Sequence, residues 1–354
     1  MHVTLGRYSL DQDHIFGNRS FLFSGDFLQF PPIGDQSLIS ISQSTGLGAM
    51  VFSSFEYYFE FTEQKRQNDA DYLKLLRNIR NQQITDADYH FLSTNCKLPP
   101  LESFDMEQLL KTPIIVSTNE IRYNWNRKFT KLFAQHTEKP LTYIESLDQI
   151  DCEPTPVVKA ELQKAMPEYL QHTLHLVLGM PVMVISKNLY KSLSVVNGTS
   201  GILTGIILGE NARVTALQVC FSNGPSWIVE GLPPNTILIK RVTVNSTVTL
   251  SNGQTLKLRR QQFPITEAFA ITDYKAQGQT FPSAIINLAD SKGVSTYIKL
   301  SRTKNSSDTY IMDGFRKADL EIVFPNGYNL WRESYLNPGV INTRSYMNTI
   351  RHFD

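Results

Sequence analysis

The sequence predicts an α/β fold interrupted by a small all-β module. Helix-type and strand-type patterns alternate up to about residue 135 and again after 263. Between about 174 and 262 the chain instead runs through short β-rich segments separated by turn residues. Its 354 residues are 41% hydrophobic and 19% charged, the balance of a packed globular chain with a prior of two or three domains.

The elements follow in order. Residues 20–26 read as a short buried strand, with Phe21-Leu22-Phe23 bounded by Gly25 and by Pro31-Pro32. Residues 69–81 place Tyr72, Leu75, Leu76 and Ile79 at helical spacing behind Asp69, which can cap. A second helix starts at Thr85-Asp86-Ala87-Asp88. Residues 113–117 are a short strand, and Asn119 to Ala134 a helix carrying Arg122, Arg127, Lys128 and Lys131 against Glu120. The stretch 137–170 gives no clear element, because Pro154, Pro156 and Pro167 argue against a long one. In the β module the turn signals are Asn197-Gly198, Gly209-Glu210-Asn211, Asn223-Gly224 and Asn252-Gly253. After it, AFAITDYKAQG, AIINLAD, TYIKLSR and DTYIM return to the α/β pattern.

Net charge is +1, so any nucleic-acid surface must be local. Cys96, Cys152 and Cys220 are far apart, show no metal spacing and suit inert, buried thiols in a reducing compartment. No apolar run approaches the ~18 residues of a membrane span, and the first residues lack the basic lead and apolar stretch of a secretory signal. His172 and His175 flank Leu174 on an alternating strand and read as structural; no metal ligand set is expected.

Five stretches then carry a resemblance. SGDFLQFPP (24–32) resembles the third motif of superfamily-one DNA helicases of the Pif family, relatives of RecD and of Helitron helicases, usually written Gly-Asp-Phe-x-Gln-Leu-Pro-Pro. FTEQKRQ (61–67), LVLGMPVMVISKN with VNGTSG, ITEAFAITDYKAQGQTF (265–281) and YIKLSRT (297–303) resemble further family motifs in the family's order. The resemblance implies RecA-like lobes of the P-loop NTPase kind. Residues 1–105 would be the remainder of a first lobe, 106–175 with 263–330 the second lobe, 176–262 a β-barrel insertion and 331–354 a tail.

The resemblance also implies roles. Arg66 and Arg302 would be cations on the ATP γ-phosphate, since phosphoryl transfer depends on positive charge placed at the transferring group. Gln29 would sense that phosphate or position water, Asp26 would hold the Gln29 loop, and Gly278 would border the nucleotide. Lys275, Gln277 and Thr280, with Thr118 and Asn119, would contact single-stranded DNA. Ala276 replaces the usual serine, removing a hydroxyl from one phosphate contact, and Lys299 stands where a small residue is common. The basic helix would add counterion-release affinity, with Tyr123 or Trp125 either stacking on bases or lying in the core.

ATP and Mg²⁺ are the cofactors so implied, yet the 354 residues contain no G-x-x-x-x-G-K-[ST] run and no adjacent Asp-Glu pair. The expectation is a truncated 5′-to-3′ DNA helicase, inactive by itself unless an upstream segment or a paralogue supplies those motifs. Its setting would be nuclear, or mitochondrial, in repair, recombination and telomere maintenance. The competing readings are a non-catalytic single-strand-binding remnant and, less favoured, an RNA motor of the viral superfamily-one kind. Taken singly, Gly-Asp-x-x-Gln is a turn, Arg66 and Arg302 are surface arginines, and the basic helix is a solvated face.

Overall fold

The computed structural model describes residues 22–34, 37–41, 52, 60, 64–100, 103–153, 155–165, 170–210, 212–221, 226–289 and 291–335. At its centre is a four-stranded parallel sheet in the order Ala270–Thr272, Ile114–Val116, Ala284–Ile286, Thr309–Ile311. Ile115 pairs with Ile271 on one side and Ile286 on the other, and Ile286 with Ile311. The three strands Ile114–Val116, Ala270–Thr272 and Ala284–Ile286 are buried at every position. Short uninterrupted apolar runs of this kind are what a parallel sheet covered on both faces requires.

Helix Asn119–Thr137 covers one face. Thr118 caps it by accepting from the Ile121 amide, and Glu138 ends it in the left-handed region. Asn126 fastens it to the sheet, donating to the Glu267 and Ala270 carbonyls and accepting from the Ala270 amide.

Helices Ala70–Arg80, Asp86–Asn95 and Ser295–Leu300 cover the other face. Asp69 caps the first of these as expected, and Thr85 with Asp88 closes a capping box on the second. Tyr72, Leu75, Leu76 and Ile79 pack with Ile115, Ile286, Leu300 and Ile311. The Tyr72 hydroxyl donates to the Leu300 carbonyl, and Lys97 bridges to Ile311. Assigning all of 1–105 to a first lobe therefore misplaces 64–98. An amphipathic helix buries its stripe on whatever apolar face is open, and here that is the second face of the 114–116 sheet.

The expected strand over 20–26 also needs correcting. None of residues 22–26 lies in a strand, and Leu22 is 90% exposed. Residues 20 and 21 lie outside the described part. An apolar run becomes a strand only beside a partner. The chain turns at Asp26, where the Gln29 amide donates to the Asp26 carbonyl.

The β-rich region forms a five-stranded antiparallel sheet, a three-stranded sheet and a two-stranded ribbon. The five-stranded sheet runs Ile265–Glu267, Pro181–Val184, Ser200–Leu208, Val214–Cys220, Thr236–Ile239. The three-stranded sheet runs Leu147–Ile150, Thr255–Gln262, Val242–Thr249, and the ribbon pairs Thr142–Glu145 with Thr173–Leu176. These sheets draw in strands from outside 176–262. The stretch that gave no clear element holds strands 142–145 and 147–150 and helix Pro156–Lys164. Pro156 starts that helix at its first turn, behind the Thr155 cap, where its missing N–H costs nothing. Asn252-Gly253 forms the expected hairpin turn, with the Leu250 amide donating to the Gln254 carbonyl and Gly253 at positive φ. Asn223-Gly224 and Asn211 lie outside the described residues.

A buried arginine ties the sheets together. Arg260 is fully buried and donates to both Asp148 oxygens (2.9 and 2.7 Å) and to the Leu162, Ala165 and Leu170 carbonyls. His172 joins from the ribbon, its Nδ1 2.9 Å from Ser146 Oγ and 3.4 Å from Asp148. Burial opposes the Asp148 charge, but His172, Arg260 and Ser146 together hold its pKa far below the usual carboxylate range. Of the cysteines, Cys96 is buried, with burial pushing its thiol up to about 12, while Cys152 and Cys220 are half-buried; all three are free. No helix among the described residues is long and apolar enough to cross a membrane.

Candidate nucleotide and nucleic-acid site

The SGDFLQFPP loop is held by its own carboxylate. Asp26 accepts from the Leu28 amide (3.0 Å), from Gln29 Nε2 (3.5 Å) and, through both oxygens, from Arg80 (2.9 and 3.0 Å). Burial alone would raise the Asp26 pKa; the Arg80 hydrogen bonds and charge outweigh it and lower it. Arg80 lies in the last turn of helix Ala70–Arg80, and its guanidinium stands over the Tyr297 ring, 5.3 Å from the centroid. Sequence reading found the helix but not this role, because a basic residue in a last turn is ordinary. Phe30, where the family text has leucine, stacks flat on Tyr274 with centroids 3.9 Å apart and planes 8° apart. The described hydrogen bonds of Gln29 stay within its own loop.

Arg66 and Arg302 do come together. Arg66 Nη1 donates to the Ser301 carbonyl at 2.9 Å. Arg302 is 3% exposed and engaged through all three nitrogens. It donates to the carbonyls of Ile298 (2.7 Å), Ala276 (3.4 Å) and Gln279 (3.2 Å) and to Ser301 Oγ (2.6 Å). Burial, and then the charge of Arg66, push its pKa down to about 10. In this state Arg302 is not an open finger; it pins the 276–279 backbone. Neither arginine reaches a carboxylate among the described salt bridges. Two neighbouring cations with no carboxylate between them favour an anion. A metal fits less well: no group of three or more His, Cys, Asp or Glu able to hold one occurs among the described residues.

Helix Asp273–Ala276 and the turn after it carry the candidate DNA loop. Gly278 has φ +81, the left-handed conformation that favours glycine. Gly278 and Thr280 are exposed and Gln277 is half-buried. Ala276 is fully buried in the apolar core. The missing hydroxyl therefore faces the core here, and the expectation of a lost phosphate contact is corrected. Lys275 Nζ donates to Asn197 Oδ1 at 2.8 Å, in the turn that opens the Ser200–Leu208 strand. Burial and then the charge of Arg122 lower the Lys275 pKa.

Thr118 spends its hydroxyl on the helix cap, and Asn119 is exposed beside it. Asn119 borders a groove of about 760 Å³ that also takes in Arg127, Lys131 and Tyr143. Tyr123 is buried under the Arg122 guanidinium, 4.5 Å from its ring centre, and Trp125 is half-buried edge-on to Phe129. Tyr143, 59% exposed, and Tyr274, 49% exposed with one ring face under Phe30, are the more open rings. The buried reading of Tyr123 thus prevails, because helix 119–137 turns that side toward the protein. Lys299 is fully buried and donates to Ser117 Oγ (2.6 Å), the Asn287 carbonyl (2.8 Å) and Ser291 Oγ (2.9 Å). It joins the end of the 114–116 strand to the helix that precedes Arg302.

No family model matches the chain. It is similar to the ATP-dependent DNA helicase PIF1 of Xenopus laevis, 26% identical over 322 residues, covering 90% of this chain and 44% of that protein. The human ATP-dependent DNA helicase PIF1 is 25% identical over 307 residues, covering 85% and 42%. The chain thus spans about two-fifths of the length of these curated relatives. Among solved structures, Bacteroides Pif1 bound to single-stranded DNA matches at TM-score 0.61 and 23% identity, over 92% of this chain and 69% of that one. Bacteroides Pif1 helicase in complex with ADP-AlF3 and single-stranded DNA matches at TM-score 0.60 and 23% identity, with the same coverage. Pif1 helicase from Candida albicans matches at 0.53 and 18%, over 77% and 59%. Along most of its sequence this chain is similar to the Pif-type DNA helicases, and its fold is the RecA-like helicase fold of those structures.

Proposed function

We propose that this chain is the strand-engaging and phosphate-sensing part of an ATP-dependent DNA helicase that moves 5′ to 3′ on single strands. One observation carries the reading: the motif loops form a single connected network. Phe30 stacks on Tyr274, Arg302 binds the Ala276 and Gln279 carbonyls, and Arg66 binds Ser301 beside Arg302. A shift of Arg302 toward a γ-phosphate would release the 276–279 backbone, and this links the nucleotide to the strand. Asp26 and Arg80 hold the Gln29 loop in register, Arg66 and Arg302 supply charge to the phosphoryl group, and Lys275, Gln277, Thr280 and Asn119 take the strand.

Hydrolysis in this proposal needs a phosphate loop and an acidic box from outside these 354 residues, either on a longer chain or on a paralogue, with Mg²⁺ held there. The setting is nuclear or mitochondrial, in repair, recombination or telomere upkeep. The 354-residue chain alone is expected to show no DNA-stimulated phosphate release. Joined behind a relative's segment bearing the two motifs, it is expected to hydrolyse ATP only when single-stranded DNA is present. Turnover near 1 s⁻¹ by the chain alone, at the low end of enzyme rates, would contradict the division of labour. The buried state of Arg302 favours a second reading, a strand-binding protein without catalysis. A fusion that binds ATP and strand yet never turns over would select it.

A further inference from the structure

Arg122 poses an electrostatic problem that the motif assignments do not solve. It lies in the first turn of helix Asn119–Thr137, its amide donating to the Thr118 carbonyl. A cation there faces the positive end of the helix dipole. The residue is 5% exposed, and its Nε and Nη2 atoms are buried without a hydrogen-bond partner. Its one described contact is with the Tyr123 ring, 4.5 Å from the guanidinium carbon. The pairing of Val116 with Thr272 sets the start of this helix beside the start of the 273–280 loop, and there the charge of Arg122 acts on another cation, Lys275. A buried guanidinium with idle donors and a like charge beside it is costly, and an anion would relieve both defects at once.

Lys275 is half-buried, and its other described partner is a neutral amide oxygen, Asn197 Oδ1 at 2.8 Å. An anion beside Lys275 would therefore meet donors from helix 119–137 and from the 273–280 loop together. Arg122 has the planar fork that matches phosphate oxygens; Lys275 adds a point charge.

Resting on the reading of this region as the strand site, we infer that Arg122 and Lys275 together form a phosphodiester-binding pair for single-stranded nucleic acid, with Arg122 an additional strand-binding residue. The free protein holds Arg122 at a cost to its stability, and the strand's phosphate removes that cost.

The test measures binding and stability on the same variants. The unaltered 354-residue chain, Arg122→Met and Lys275→Ala are titrated with fluorescein-labelled (dT)20 over a salt series, and each is melted without DNA. Inorganic phosphate and ATP are run as competitors. Arg122→Met is expected to weaken (dT)20 binding and to make the log–log salt slope shallower by roughly 0.7, one single-strand contact. It is also expected to raise the melting temperature, since an unpaired buried charge has been replaced by an apolar side chain of similar length. A merely structural arginine would lower it. Unchanged affinity and slope in Arg122→Met would overturn the inference, as would a lowered melting temperature. If Lys275→Ala flattens the slope and Arg122→Met does not, this inference falls and the wider reading stands. If the unaltered chain does not bind (dT)20, both fall. Competition by inorganic phosphate or ATP at concentrations below those at which (dT)20 binds would assign the pair to a free phosphate ligand and overturn the strand assignment.

Discussion

Lys275 and Asn197 meet across 78 residues of sequence, the ammonium donating to the amide oxygen at 2.8 Å. The bond joins the candidate strand loop to the first turn of the β insertion. Gly198, next in the chain, sits at φ +98, and a Cβ there would come within 3.3 Å of Lys275 Nζ. Lys275→Ala is expected to weaken binding of every single-stranded sequence alike, with the salt slope shallower by roughly 0.7. Gly198→Ala is expected to cost about 1–3 kcal/mol of stability through backbone strain and to weaken strand binding by displacing the lysine. Fluorescence anisotropy over a salt series and urea unfolding check these. A base-dependent loss with an unchanged slope would point away from a phosphate contact.

Asp26 and Arg80 are bidentate partners, and each is about one-quarter exposed (22% and 26%). A double-mutant cycle with Asp26→Asn and Arg80→Gln is expected to give a coupling energy of about 1–3 kcal/mol. Thermal or urea melts of the four proteins supply it. Additive losses would mean that the loop is held by the burial of Leu28 instead.

Acid should act on the Asp148–Arg260 pair. The folded pKa of Asp148 is depressed, so its stabilising contribution is present above the unfolded value of about 3.9 and is lost as pH falls below that toward the folded value. Asp148→Asn is expected to cost about 3–5 kcal/mol at neutral pH, because Arg260 stays buried without its counter-charge. It should also flatten the stability profile below about pH 4. Stability curves from pH 2 to 7 for both proteins decide it. Parallel acid limbs would show that other carboxylates dominate.

Arg302 is expected to resist conservative replacement. Arg302→Lys cannot reproduce bonds to three carbonyls and a hydroxyl, so it should lose about 2 kcal/mol or more of stability, close to Arg302→Ala. In a fusion able to bind ATP, either change should lower hydrolysis by a factor on the order of 10³ if the residue swings to the phosphoryl group. Full turnover in a folded, ATP-binding Arg302→Ala fusion would end that assignment.

By itself the sequence determined the local elements and the motif positions. Asp69, Thr85 and Thr118 mark helix starts because a side-chain oxygen meets an amide within three residues, and such geometry is written locally. The buried runs 114–116 and 284–286 were legible for the same reason, since apolar strands carry their burial in their composition. Tertiary structure alone decided where those elements met. It gave the 70–80 helix to the second face of the 114–116 sheet, left Leu22 exposed and outside any strand, and turned Tyr123 inward. It also chose the partners of Arg80, Arg122 and Arg260. A charged side chain on a helix or strand reads the same whether it faces water, a carboxylate 54 residues away as Arg80 does, or another cation as Arg122 does. Long-range electrostatics and packing settle that choice, and neither leaves a periodic or capping signal in the chain.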